Sequence, residues 1–379
     1  MKDGFIYLDN NATTRVDDAV VEAMLPYFTR YYGNAASAAH AAGWQAAAAV
    51  DLARQQVANL ISATPQEIIF TSGATEGCNL AIKGVFEKYK SKGHHLITLA
   101  TEHKAVLDAC AALEKKGASV THLPVSPEGL INLDDLRHAI NDKTILVCAM
   151  LANNETGVIQ PIKDIARVVH ENGSLLFCDA TQAAGKIQID VNELGADLLC
   201  ISAHKFYGPK GVGALFVRRK NPRVSLEEQM HGGGHERGLR SGTLNVPGIA
   251  GLGKASELAG AQMWDNNTHI STLRAKLEHQ LLDLAGVRIN GSTRHRLYNT
   301  ANICFSGTKS SELIPKINHR LCVSAGSACT SALPQPSHVL KAMGLSDEDS
   351  FSSIRFSLSK YTTEEEIDEM IALLKQVLG

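Results

Sequence analysis

Three polar clusters in the 379-residue chain each follow a short apolar run, and their residue types could do chemistry together if those runs are strands ending at one edge of a sheet. After Ile68-Ile69-Phe70 comes Thr71-Ser72-Gly73-Ala74-Thr75-Glu76, a turn of small residues leading into a helical pattern. Such a turn offers unpaired N–H groups to an anion such as phosphate. After Leu175-Leu176-Phe177-Cys178 comes Asp179-Ala180-Thr181-Gln182, which places a carboxylate behind apolar residues, where it needs a cationic or N–H partner. After Leu198-Leu199-Cys200-Ile201 comes Ser202-Ala203-His204-Lys205, and a lysine there is costly unless its amine is neutral or covalently used. An anion turn, an acid and a lysine suggest pyridoxal phosphate, the acid serving the ring nitrogen and the lysine the aldehyde. Burial must then pull the lysine below its reference value of about 10.4. A plain buried ion pair between Asp179 and Lys205 fits the same residue types, and the types alone leave both readings open.

Other patterns carry less chemistry. Gly248 to Ala255, GIAGLGKA, nearly fits a nucleotide-binding loop, but Ala255 stands where a magnesium-holding hydroxyl is needed, so helix packing is expected. His231 and His235 are spaced for a metal, yet three intervening glycines deny them a helix to aim both rings, and no resident metal is expected. The chain has eight cysteines without a C-x-x-C pair. Seven are expected to be reduced and structural. Cys329 differs, because Ser-Ala-Gly-Ser-Ala-Cys-Thr-Ser-Ala is small, polar and loop-like, and it is the reactive candidate.

These residues must be positioned by an α/β framework. Runs at Glu67–Phe70, Leu96–Thr98, Thr144–Val147, Leu175–Phe177, Leu198–Ile201 and Ala214–Val217 alternate with longer helical patterns, which predicts a mostly parallel sheet. A helical pattern through Leu273, Leu277, Leu281 and Leu284 leads to strands at Val287–Ile289 and Asn302–Phe305, and Thr362–Glu366 opens a capped amphipathic terminal helix. A large domain over 15–260 and a smaller α+β domain formed by 1–14 and 261–379 are expected. Ala35 to Ala49 holds ten alanines in fifteen residues and reads as a plain solvent-side helix. With 37 basic and 39 acidic residues the net charge is −2, which disfavours nucleic acid as a partner. No apolar stretch approaches the ~20 residues that span a bilayer, and no secretory leader is evident, so a soluble cytoplasmic protein is expected.

Ser202-Ala-His-Lys-Phe-Tyr-Gly-Pro-Lys-Gly-Val-Gly213 resembles the cofactor-lysine segment of the cysteine desulfurases, class V members of the fold-type I pyridoxal phosphate enzymes. YLDNNATT (7–14), FTSGATE (70–76), TEHKAVL (101–107), NNETGVIQPI (153–162), DATQAAGK (179–186), HGGGHERGLRSGT (231–243), SAGSACTSA (324–332) and SSIRFSLSKYTTEEEID (352–368) extend the likeness in order along nearly the whole chain. GSACTSA resembles the iron-sulfur-cluster type, which has a long active-site loop. The resemblance implies that Lys205 carries the cofactor, His103 stacks on its ring and assists proton transfer, Asp179 pairs with the ring nitrogen and Gln182 bonds the ring hydroxyl. Ala74, Thr75, Ser202 and His204 would hold the phosphate, joined by Thr243 from the second subunit of a homodimer. Asn154 and Arg355 would take the substrate, Arg355 through the bidentate fork of its guanidinium. Cys329 would be the nucleophile that receives sulfur from L-cysteine, with transient ligation of an iron-sulfur cluster through the same thiol.

The implied activity converts L-cysteine to L-alanine and leaves a persulfide on Cys329 for an acceptor or scaffold protein, such as one of iron-sulfur cluster assembly. Selenocysteine lyase or class V aminotransferase is the alternative, since a pyridoxal site alone does not choose the reaction; a non-catalytic sulfur or metal carrier using Cys329 is a third. Gly33-Asn34-Ala35-Ala36-Ser37 lacks the proline usual in the family's Gly-Asn-Pro-Ser-Ser, so the entrance loop is expected to differ. After Gly379 the scaffold-docking tail of bacterial relatives is expected to be lacking. The segment Ser324–Pro336 is expected to be a mobile carrier loop.

Overall fold

Apolar runs of branched residues alternate with helices along most of the chain, and in the computed structural model, which describes residues 4–325 and 335–378, they form two main sheets. The strands in chain order are β1 (Ile6–Tyr7), β2 (Ile68–Thr71), β3 (His95–Leu99), β4 (Ser119–Leu123), β5 (Thr144–Met150), β6 (Leu175–Asp179), β7 (Leu198–Ser202), β8 (Gly213–Val217), β9 (Val287–Ile289), β10 (Thr300–Phe305), β11 (Leu321–Cys322) and β12 (Ser353–Ser357). The larger sheet runs β2-β8-β7-β6-β5-β3-β4. β4, β3, β5, β6 and β7 pair in parallel, while β8 runs against both β2 and β7. Every residue of β3, β5, β6 and β7 is buried, as a sheet covered on both faces requires.

Strand alternation sends neighbouring residues to opposite layers. Ile97, Val147, Leu176 and Leu199 pack under helices Ala41–Leu60, Ile162–Glu171 and Val246–Leu282. Leu96, Leu146, Phe177 and Leu198 pack under helices Ala74–Tyr89 and Lys104–Glu114. The alanine tract is not the solvent-side helix its composition suggests. Its helix begins only at Ala41, and Ala46, Ala49 and Ala53 are buried in the core. Small side chains permit this, because a Cβ on Gly253 would stand 2.6 Å from the Cα of Ala53. GIAGLGKA is thus helix interior, and its glycine is needed for close packing.

Helix Val246–Leu282 serves two cores. Its first half contributes Ile249, Leu252 and Ala255 to the large-sheet core, and its second half contributes Ile270, Leu273 and Leu277 to another. The second core also holds Ile303 and Phe305 of β10, Ile354 and Phe356 of β12, and Ile367 and Met370 of the terminal helix Glu364–Leu378. There β12-β10-β9 form an antiparallel sheet. Thr363 and Glu366 exchange bonds as a capping box at the terminal helix.

Glu236 and Arg237 lie in left-handed backbone conformations, at φ 47° and 60°. Glu236 is anchored there: its carboxylate accepts from Arg54 Nη1 at 2.8 Å, Arg54 Nη2 at 2.7 Å and the Phe70 N–H at 2.7 Å. Glu236→Ala strands a buried guanidinium and is expected to cost about 3–5 kcal/mol of stability in denaturant unfolding. A loss below about 1 kcal/mol would mean that the pair behaves as an exposed one.

Candidate active site

The C-terminal ends of β2, β3, β5, β6 and β7 meet at one edge of the large sheet, around a cleft of about 640 Å³. Ala74, Thr75, His103, Asn154, Asp179, Gln182, Ser202, His204, Lys205 and Arg355 all line it. Helix Ala74–Tyr89 starts from Gly73 without a side-chain cap, so its first N–H groups have no partner inside the helix. Gly73 has φ 150°, and a Cβ there would stand 3.6 Å from Ser202 Oγ, inside the cradle. Glu76 fixes the turn by accepting from the Ser72 N–H at 2.8 Å and from Arg240 Nε at 2.7 Å.

Asp179 ends β6, with its Oδ1 accepting from the Thr181 N–H at 2.9 Å and the Cys200 thiol at 3.5 Å. Gln182 Nε2 donates to the Asn11 carbonyl at 2.9 Å, while its buried Oε1 has no partner among the described residues. Lys205 Nζ donates to the carbonyls of Asn11 at 2.7 Å and Ala12 at 2.8 Å, rather than to Asp179. The buried-ion-pair reading is therefore not what the fold builds. Burial, followed by the nearby Arg355 charge, pulls the Lys205 amine down to about 8.

His103 caps helix Lys104–Glu114, its Nδ1 accepting from the Ala105 N–H at 3.1 Å. That bond places the proton of the neutral ring on Nε2, and burial favours the neutral ring by lowering its proton affinity. His204 bonds Thr13 Oγ1 at 3.2 Å, and burial, with the charges of Lys205, Lys210 and Lys186, pushes it down to about 4. Arg355 sits in mid-β12, donating from Nη1 to the Asn154 carbonyl at 2.9 Å and from Nη2 to Asp9 at 2.6 Å. Its Nε and the Asn154 Oδ1 are buried without partners among the described residues. Both are polar atoms that a ligand could satisfy.

Not every expected residue is in the cleft. Thr243, expected to act from the second subunit, is exposed and does not line the cleft of its own chain. Cys329, with most of the expected carrier loop, lies outside the described residues. His231 bonds Glu228 and His235 receives the Gly242 N–H, with glycines 232–234 all at positive φ, so these histidines do not converge. Sequence reasoning gave no role to Asp9, Asn11 or Lys186. Asn11 joins the site through the Gln182 and Lys205 bonds and also donates to Thr300 Oγ1 at 2.9 Å. Their only sequence signal was membership of the DNNATT and DATQAAGK segments.

The donor set fits pyridoxal phosphate: open helix N–H groups for a phosphate, Asp179 for a ring nitrogen, the orphan Gln182 Oε1 for a ring hydroxyl and a depressed lysine for an aldehyde. Only a neutral amine attacks an aldehyde. Cofactor-free protein is therefore expected to reload with pyridoxal phosphate at a rate rising about tenfold per pH unit below pH 8 and levelling above it, read by stopped-flow absorbance. A rate independent of pH across that range would remove the case for a depressed Lys205.

Residues 6–370 match the class-V aminotransferase family. A cysteine desulfurase IscS of Anaeromyxobacter sp. (strain Fw109-5) is 53% identical, covering 97% of this chain and 91% of its own. One from Aeromonas salmonicida (strain A449) is 52% identical, covering 99% and 93%. A solved NifS-like protein superposes with a TM-score of 0.92 at 40% identity, covering 99% of both chains. With the family matched over almost the whole chain and the cleft fitted to the family's cofactor, the protein belongs to the class-V aminotransferases, among their pyridoxal-phosphate-dependent cysteine desulfurases.

Proposed function

We propose that this cleft desulfurates L-cysteine to L-alanine with Lys205, His103, Asp179, Arg355 and Cys329 in the roles their chemistry allows, and that sulfur leaves as a Cys329 persulfide for acceptors such as those of iron-sulfur cluster assembly. The observation that carries the reading is the convergence on one cleft of a depressed lysine, a backbone-anchored acid, a neutral histidine and an arginine whose Nε has no partner among the described residues. Pyridoxal phosphate, when bound, supplies an aldehyde for the substrate amine and a ring that accepts electron density from the α-carbon. Ala74, Thr75, Ser202 and His204 would hold its phosphate, Asp179 would keep its ring nitrogen protonated and Gln182 would meet its hydroxyl.

Arg355 binds the substrate carboxylate and Asn154 closes the same end of the cleft. Lys205 takes the α-proton and returns a proton to the product, with the His103 Nε2–H beside it for proton transfer. The Cys329 thiolate attacks the substrate sulfur, forming the S–S bond of the persulfide as the C–S bond breaks. The electron pair released stays on the β-carbon, which is then protonated to give alanine.

The protein is further proposed to be a cytoplasmic homodimer in which Thr243 completes the partner's phosphate site. Leu25, Phe28 and Tyr32 support this: these large apolar side chains lie close together in the chain around the short helix Pro26–Thr29 and are 56%, 58% and 77% exposed, which suits a covered surface. Among the described residues no helix is long and apolar enough to cross a membrane. The large-domain and small-domain division at residues 15–260 against 1–14 with 261–379 is supported by the two separate cores. Incubation with L-cysteine and a reductant should yield alanine and sulfide in equal amounts. Turnover restricted to selenocysteine, or to an amino donor with a keto acid, would replace this reading with the lyase or the aminotransferase.

A further inference from the structure

Lys186 is a buried lysine that the proposed chemistry leaves unused. It follows β6 by a tight turn in which the Ala183 and Ala184 N–H groups bond the Ala180 carbonyl and the Lys186 N–H bonds that of Ala183. Its side chain lies in the interior, 7% exposed. Nζ donates to the Gln182 carbonyl at 2.8 Å and to the Lys205 carbonyl at 3.1 Å. Burying an amine is costly, and these two carbonyls belong to residues that line the cleft.

The turn from Asp179 to Lys186 and the short turn Ala203–Lys205 are separate pieces of chain at the ends of neighbouring strands. β6 and β7 stop pairing at Asp179 and Cys200, so beyond that point the ladder no longer sets their spacing. We propose that Lys186 is a positioning residue: by donating to both carbonyls at once it ties the turn bearing Asp179 and Gln182 to the backbone of Lys205, so that acid, amide and amine meet the cofactor in fixed register. The inference rests on the cofactor-site reading given above. Burial, and then the Lys205 charge, pulls the Lys186 amine down to about 7, consistent with a group in closed surroundings beside a second cation.

The test compares Lys186→Met, which removes every donor at similar length, with Lys186→Gln, which keeps an N–H donor. Both are loaded with pyridoxal phosphate, with Lys205→Ala in parallel. In the Met variant, loss of the visible cofactor band into a scavenger is expected to quicken about tenfold and kcat to fall about tenfold, while KM for L-cysteine changes less than about threefold because Arg355 is untouched. The Gln variant should recover part of both losses. Release and kcat within about twofold of the parent in the Met variant would overturn the proposal. So would equal impairment of both variants with matching drops in melting temperature, which would mark a purely structural residue. If the Met variant does not fold, Lys186→Leu, which also removes every donor, takes its place: faster release at a parental melting temperature supports the tie, and parental release refutes it. If Lys205→Ala keeps its band and turnover, the cofactor-lysine assignment fails instead, whatever the Lys186 variants do.

Discussion

Lys205→Ala is expected to give a folded protein that neither turns over L-cysteine nor shows the visible absorbance of bound cofactor. One substitution removes the covalent attachment and the group that moves the α-proton, so the loss in kcat should be at least about a thousandfold. Folding should survive. Lys205 holds its proton less tightly in the folded protein than in the unfolded chain, since burial brings the amine from 10.5 to about 8. The unfolded state therefore binds more protons between those values, and the stability contribution of this residue rises with pH across that window. At neutral pH the buried ammonium is a cost, and its removal leaves the Asn11 carbonyl still accepting from Gln182. The melting temperature at pH 7 should be unchanged or higher. Measurable steady-state activity in the variant would sink the assignment of Lys205.

Cys329→Ser should leave cofactor absorbance and L-cysteine binding intact while eliminating the persulfide and the release of alanine. A hydroxyl cannot accept the substrate sulfur as a thiolate does. Other cysteines are poor substitutes. Cys78, Cys148, Cys178 and Cys200 are fully buried; desolvation raises Cys148, Cys178 and Cys200 well above the ordinary thiol range, and Cys78 is raised to about 11 although its bond to Cys200 pulls the other way. None of the described cysteines lines the cleft. Ser324, five positions before Cys329 in the chain, does. Mass spectrometry of the reacted protein and an alanine assay decide the matter. Alanine produced at the parental rate without Cys329 would place the protein with lyases that need no protein thiol.

Much of this organisation was legible in residue order. The central strands are continuous apolar runs because both faces of their sheet are covered, and the polar clusters that follow them mark the edge where a ligand sits. β4 and β12 carry weaker signals. Ser119–Leu123 lies at the sheet edge with mostly solvent-touched residues, and β12 carries Arg355 at its centre, a charge tolerated because Asp9 and the Asn154 carbonyl receive it. The alanine tract misled for a related reason. Composition reports helix propensity, but whether alanines face water or a neighbouring helix depends on Gly253, some two hundred residues away. Asp9, Asn11 and Lys186 escaped notice because the contacts that bring them to the cleft, to Arg355, to Lys205 and to the Lys205 carbonyl, form only through the tertiary fold, and a single polar residue states nothing about a partner elsewhere in the chain.

The contact between Asp9 and Arg355 also bears on the order in which the protein can be completed during synthesis. The two residues are 346 positions apart, and β1 pairs with β11 across a similar span. A ribosome adding about 10 residues per second needs roughly half a minute to cover that interval. Throughout it, the opening segment that supplies the Asn11 and Ala12 carbonyls to Lys205 lacks its later partners. The large sheet can collapse while the chain is still growing, but the floor of the cleft has to wait for β12. Substrate binding through Arg355 is consequently an event of the finished chain, and a nascent chain stalled before β12 would carry Lys205 without the Arg355 charge that helps to lower its proton affinity.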